Sequence, residues 1–187
     1  MRTKQIIAVI GATGSMGAAI SKSLSKGNYK LLLSARDFNK TQLVVKDILS
    51  FNSMADVEAI DCSVNASWEA DIIILAVPFQ AEKAIAEKIK EVANQKVVIS
   101  ISNPLKKSNT DLTAADICTA EELQKLLPNS KVIKAFNTIV EADFSTPIRE
   151  GKIIDAIIVG DDADALQIAE KLVSLVGFKA IKKAHQI

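Results

Sequence analysis

Seven residues near the start of the chain, Gly11-Ala12-Thr13-Gly14-Ser15-Met16-Gly17, follow an Ile/Val-rich run and open an amphipathic stretch. A glycine-rich turn between a strand and a helix is suited to holding phosphates, because amides at the helix amino end point outward where the helix dipole favours negative charge. The glycines divide the task. Gly11 allows the tight turn out of the strand, Gly14 lets a diphosphate approach the backbone, and Gly17 lets the helix pack closely on the sheet. Amides of Gly14, Ser15 and Met16 are the expected diphosphate donors. No Gly-Lys-Ser/Thr follows, so the turn is not a P-loop.

The end of the second strand bears on the choice of dinucleotide. An NAD site places Asp or Glu about 20 residues after the glycines, to accept from the ribose 2′-hydroxyl. Here the strand ends Ser34-Ala35-Arg36-Asp37, with Lys40 shortly after. A guanidinium and an ammonium favour a 2′-phosphate, with Ser34 and Thr13 as hydroxyl donors, so the expected cofactor is NADP. Asp37 dissents from that choice, but it lies past the strand and reads as easily as the cap of the next helix. Further on, Ala76-Val77-Pro78 ends the fourth strand and is expected to line the path of the ribose and nicotinamide. Pro78 suits a helix entry because it has no amide to satisfy. Asn103, in Ser102-Asn103-Pro104-Leu105, and Asn137, in Ala135-Phe136-Asn137-Thr138, bring amide side chains to the same edge, or else organise their own turns.

These residues need a scaffold, and apolar runs alternating with amphipathic stretches supply one. The pattern predicts a single Rossmann-type doubly wound α/β domain over residues 1–187, with a mostly parallel sheet of about eight strands. The strands are read at 5–10, 30–34, 57–59, 72–76, 96–100, 131–134, 156–159 and 179–182. Helices are read at 14–26, 39–49, 80–92, 120–127 and 163–176. Thr119-Ala-Glu-Glu122 reads as a capping box opening the fourth of these helices. Asp161-Asp162 reads as an acidic start for the fifth, which stops at Gly177. Trp68 is expected to plug the edge of the core. The loops at 102–118 and 137–152 follow strand ends and are expected to wall a second-substrate pocket.

Composition narrows the function. The chain has 187 residues, 24% charged and 49% hydrophobic, enough to bury roughly 70% of its unfolded surface without staples. With 23 basic against 22 acidic residues it lacks the charge footprint of a nucleic-acid binder. Cys62, Cys118 and the single His185 have no metal-site or disulfide spacing, so neither metal nor disulfide is expected. No secretory signal or membrane-length apolar run is read, and a cytoplasmic location is expected. A short-chain dehydrogenase mechanism needs Tyr-x-x-x-Lys, but the only tyrosine, Tyr29, is followed four residues on by Leu33.

At Gly11-Ala-Thr-Gly-Ser-Met-Gly17, Arg36 with Lys40, Ala76-Val-Pro78, Ser102-Asn-Pro-Leu105, Lys134-Ala-Phe-Asn-Thr138 and Val159-Gly-Asp-Asp162, the chain resembles the coenzyme F-420-dependent NADP oxidoreductases. The related cytosolic domain of the transmembrane metalloreductases is similar too. The resemblance implies a small-molecule electron acceptor, flavin-like or deazaflavin, and a homodimer. It also implies that Thr13, Ser15, Met16, Arg36 and Lys40 hold the NADP phosphates, with Ala76, Val77 and Pro78 beside the nicotinamide. No acid or base is expected among the residues, because hydride passes directly between stacked rings. Relatives often carry Gly-Ser-Arg where this chain has Ser34-Ala35-Arg36. They also continue past the position of Gly177-Phe178 with a Gly-Pro-Leu-type turn, where this chain reads Lys179 to Ile187. Two readings follow: an NADP-dependent oxidoreductase, or a non-catalytic NADP(H)-binding sensor.

Overall fold

In the computed structural model, which describes residues 4–103 and 114–184, the continuous Ile/Val/Leu runs become the strands of one sheet. They are β1 (Gln5–Ile10), β2 (Tyr29–Ser34), β3 (Asp56–Ala59), β4 (Ile72–Leu75), β5 (Val97–Ser100), β6 (Lys131–Lys134), β9 (Asp155–Gly160) and β10 (Lys179–Ala184). A two-residue hairpin, β7 (Ile148–Arg149) with β8 (Lys152–Ile153), stands apart. The helices are α1 (Ser15–Leu24), α2 (Phe38–Phe51), α3 (Ser63–Glu69), α4 (Phe79–Ile89), α5 (Ala114–Leu126) and α6 (Ala163–Leu175).

The strand order is β10-β9-β6-β5-β4-β1-β2-β3, so the chain reverses its direction of travel across the sheet between β1 and β4. That is the switch point at which ligands bind in open α/β sheets. Strands β1 to β6 are mutually parallel, β9 is antiparallel to β6, and β10 is parallel to β9. The reversal has a local cause. After β6 no crossover helix intervenes, only a 3-10 turn at Glu141–Phe144 and the β7–β8 hairpin, and the chain comes straight back. The pairing Lys134↔Val159 leaves the first part of β9 projecting past the end of β6.

Both faces of the sheet are covered, which is why its strands read as unbroken apolar runs. Ile7, Val9, Leu31, Leu33, Ile72 and Ile74 pack under α1, α2 and α6. Ala8, Ile10, Leu32, Ile73 and Leu75 pack under α3, α4 and α5. Gly177, at φ +101°, ends α6 in the left-handed region that favours glycine.

Three expectations need correction. Helix α5 starts at Ala114, so Thr119 lies inside it and does not cap it. The Ala114-Ala115-Asp116 stretch carries the helix upstream, Ala being the best helix former. Helix α3 is additional, and its seven residues lack a repeating apolar stripe. On it Trp68 is 69% exposed, while Ala66 and Ser67 turn inward, so Trp68 does not plug the core. Pro104, Leu105, Lys106, Lys107 and His185 lie outside the described residues, as does the side chain of Cys118. No helix among the described residues is long and apolar enough to cross a membrane.

Candidate functional site

Parallel registers bring the carboxyl ends of β1, β2 and β4 together, with Ile10 paired to both Ser34 and Leu75. From there the backbone builds a cradle. Gly11, at φ +93°, donates its N–H to the Ser34 carbonyl at 2.7 Å, and Ala12 donates to the same oxygen at 3.2 Å. Gly14 N–H then closes on the Gly11 carbonyl at 3.0 Å. A Cβ on Gly11 would overlap the Ala76 carbonyl, and one on Gly17 would overlap the Gly11 carbonyl. A Cβ on Gly14 would meet nothing nearer than Gly11 O at 3.4 Å. The outer glycines are therefore demanded by the protein's own packing. At Gly14 a side chain would make only ordinary contact.

Gly14 is also the amino cap of α1, with no side-chain cap and no acid in the first turn. The other two long helices on that face are capped internally. Asp37 Oδ1 accepts from Lys40 N–H at 3.1 Å on α2, and Asp162 Oδ1 accepts from Ala165 N–H at 2.8 Å on α6. The positive end of α1 thus lacks the partner its neighbours have, with Thr13, Gly14 and Ser15 exposed above it and Met16 half-buried against the core.

At the end of β2, Arg36 is exposed and its guanidinium makes no ion pair among the described residues. Lys40 Nζ stands 3.9 Å from Asp37 Oδ2, with the lysine side chain 72% exposed. Asp37 is thus engaged by its own helix. Ser34 sits deeper than expected: it is 1% exposed, and its carbonyl anchors the glycine turn, so it supports the cradle from beneath.

Ala76 N–H donates to the Ile10 carbonyl at 2.8 Å, which holds the Ala76-Val77-Pro78 strip against the glycine turn, and Pro78 caps α4. Across the crevice Asn103 Nδ2 donates to the Asn137 carbonyl at 3.4 Å, joining the two expected asparagines.

Sequence reasoning passed over what lies beneath them. Ser102 Oγ donates to Glu82 Oε2 at 2.9 Å and stands 3.2 Å from Ser100 Oγ, all three residues being buried. Phe136 holds φ +60°, an uncommon conformation for a bulky residue, while completely buried. Its ring lies 6.1 Å from Phe144, which meets Phe178 edge-on at 5.1 Å. Asp143 accepts from Val140 N–H at 3.0 Å and from the Arg149 guanidinium at 2.9 Å, tying the 3-10 turn to the hairpin. Only an acid in the first turn of α4 was there to be read, and such an acid usually faces solvent.

Residues 6–104 match the family described as NADP oxidoreductase, coenzyme F-420-dependent. The chain belongs to that family. Its members are NADP-dependent oxidoreductases, and so is this protein. It is 28% identical to the F-420-dependent NADP reductase of Methanocaldococcus jannaschii, over 94% of this chain and 82% of the relative. It is 27% identical to the enzyme of the same name from Methanothermobacter marburgensis, with the same coverage. A solved structure of a putative F-420-dependent NADP reductase from Arthrobacter shares the fold with a TM-score of 0.75 at 23% identity, covering 95% of this chain and 84% of that one. A pyrroline-5-carboxylate reductase from Coxiella burnetii shares it at 0.67 and 18% identity, covering 98% of this chain and 60% of that one.

Proposed function

We propose that the protein transfers hydride between NADP(H), bound across the carboxyl edge of the sheet, and a flavin-like or deazaflavin acceptor such as coenzyme F-420. The observation that carries this reading is the bare amino end of α1 beside the exposed guanidinium of Arg36, which makes no ion pair among the described residues. One offers main-chain donors and a positive dipole to a diphosphate, and the other offers a fork of donors to a 2′-phosphate. At Gly14 a Cβ would make only ordinary contact, so the turn there is not filled by the protein's own packing.

In this reading Thr13, Ser15 and Met16 hold the diphosphate, Arg36 and Lys40 hold the 2′-phosphate, and Ala76, Val77 and Pro78 flank the nicotinamide. Asn103 and Asn137 form the opposite wall. When bound, the nicotinamide would supply a hydride to the acceptor ring, and the one proton that completes its reduction would come from water. The chain's contribution is alignment and exclusion of solvent, and no titrating side chain is required. We extend the reading to a homodimer on the strength of the family resemblance, and light scattering at the 20.1 kDa subunit mass would remove that part.

Calorimetric titration followed by NADPH oxidation assays with flavin mononucleotide and coenzyme F-420 tests the proposal. Tight NADPH binding, weaker NADH binding and acceptor-dependent loss of NADPH absorbance are expected. NADPH binding with no oxidation by either acceptor would contradict the catalytic part and leave a binding module.

A further inference from the structure

A carboxylate buried in an α/β sheet costs free energy unless its environment uses it. Glu82 is 4% exposed, and one turn into α4 it faces the end of β5, where Ser102 Oγ donates to its Oε2 at 2.9 Å. Its Oε1 is buried with no hydrogen-bond partner among the described residues. Ser102 in turn stands 3.2 Å from Ser100 Oγ. Strand alternation turns Ser100 and its register partner Lys134, which is 1% exposed, to the same face as α4, opposite the face carrying Ile99 and Ile133. A buried carboxyl group, a buried lysine and two hydroxyls are thus gathered at one corner of the carboxyl edge.

None of these groups is used by the hydride chemistry, but the corner joins the two walls of the crevice. Glu82 lies four residues after Pro78 on the helix that the Ala76-Val77-Pro78 strip leads into. Ser102 immediately precedes Asn103, whose Nδ2 reaches the Asn137 carbonyl. We propose that Glu82 is a positioning residue: through Ser102 it fixes the β5 turn, and with it Asn103 and Asn137, at a set distance from the strip beside the nicotinamide. The inference rests on the proposed NADP-dependent hydride transfer for its kinetic consequence, but not for its structural one.

The test uses the full chain with Glu82→Ala, Ser102→Ala, the double variant and Glu82→Gln, whose amide oxygen still accepts from Ser102. Three quantities are compared: the NADPH dissociation constant, kcat with flavin mononucleotide or coenzyme F-420, and amide hydrogen exchange without ligand. Glu82→Ala and Ser102→Ala should each lower kcat by about tenfold or more, since small misplacements at a reacting centre can cost about a hundredfold. NADPH affinity should stay within about threefold, because the phosphates are held elsewhere. The double variant should be no worse than the poorer single one, as members of one hydrogen-bonded unit are not additive. Glu82→Gln should recover most of the rate.

Exchange at Ile101 and Ala135, whose amides bond to Leu75 O and Ser100 O, should quicken in Glu82→Ala and not in Glu82→Gln. Exchange at Gly14 should not change. Equal loss of kcat and NADPH affinity, a lower melting temperature with unaltered kcat, or unaltered exchange at Ile101 and Ala135 would each overturn the proposal. If neither flavin mononucleotide nor coenzyme F-420 supports NADPH oxidation by the wild-type protein, the functional reading fails while the exchange comparison still decides the role of Glu82.

Discussion

The two walls of the crevice are built by different means. At the ends of β1, β2 and β4 the work falls to the main chain: a left-handed glycine, two amides on one carbonyl, and a helix end without a cap. At the ends of β5 and β6 it falls to buried side chains: Glu82 on Ser102, and a left-handed Phe136 clamped near Phe144, which packs on Phe178. The first construction tolerates few residue types but needs no distant partner. The second accepts ordinary residues and depends on what tertiary structure places around them.

The sharpest way to break that contrast is to add one methyl group at two glycines of the same turn. Gly11→Ala meets both the left-handed φ and the Ala76 carbonyl, so it should destabilise the fold by about 3 kcal/mol or more, measured by urea unfolding. Gly14→Ala meets only ordinary contact, so its stability should stay within about 1 kcal/mol of wild type while NADPH binding weakens by at least about tenfold. If the two variants unfold alike, the division of labour among the glycines is wrong.

On the other wall, Phe136→Ala should cost about 3–5 kcal/mol of stability, the range for emptying a buried aromatic site, less whatever strain the smaller residue releases. NADPH affinity measured in the fraction still folded should change little. A selective loss of affinity would mean that the second wall also grips the nucleotide.

Arg36→Ala should weaken NADPH binding by about 1.5–3 kcal/mol and leave NADH nearly unchanged, checked by calorimetry with both cofactors. Equal losses would place Arg36 outside the 2′-phosphate site.

The smallest expected effect concerns a helix that lacks nothing. Asp162→Ala should cost about 1 kcal/mol at neutral pH, the ordinary value of an amino cap. The Asp162 carboxyl is held below the usual carboxylate range first by the Ala165 N–H and then by Lys131. A depressed folded pKa gives stability that is present above the unfolded value near about 4 and is lost as pH falls through the folded one. Wild type and variant should therefore converge in acid-unfolding series below that range. A constant gap down to the acid limit would assign the loss to packing.

The same contrast explains what could be read in advance. Strands buried on both faces write themselves as runs such as Ile72-Ile-Ile-Leu75, and the glycine turn is written in residue types that only its geometry requires. Asp37 reads as easily as a helix cap and Asp162 as part of an acidic helix start, and both accept from the third residue of their helices. Helix α3 was not legible, because its seven residues carry no stripe and it is held by Ala66 tucked under its neighbours. The Thr119-x-x-Glu122 pattern misled because the same spacing occurs inside helices, where i and i+3 share a face. Ser34 was read from its hydroxyl, when its carbonyl is the group that anchors the turn. Glu82 and the turn at Phe136 carried no local signal: one looks like a surface acid, the other like a core aromatic.

The central claim is that α1 presents its uncapped end to the cofactor's diphosphate while Arg36 takes the 2′-phosphate. A crystal structure of the protein with NADP bound tests it most directly. The account predicts diphosphate oxygens within hydrogen-bond distance of the Ser15 and Met16 amides and the 2′-phosphate on the Arg36 guanidinium. A cofactor seated anywhere else, or one whose 2′-phosphate leaves Arg36 in solvent, would contradict it.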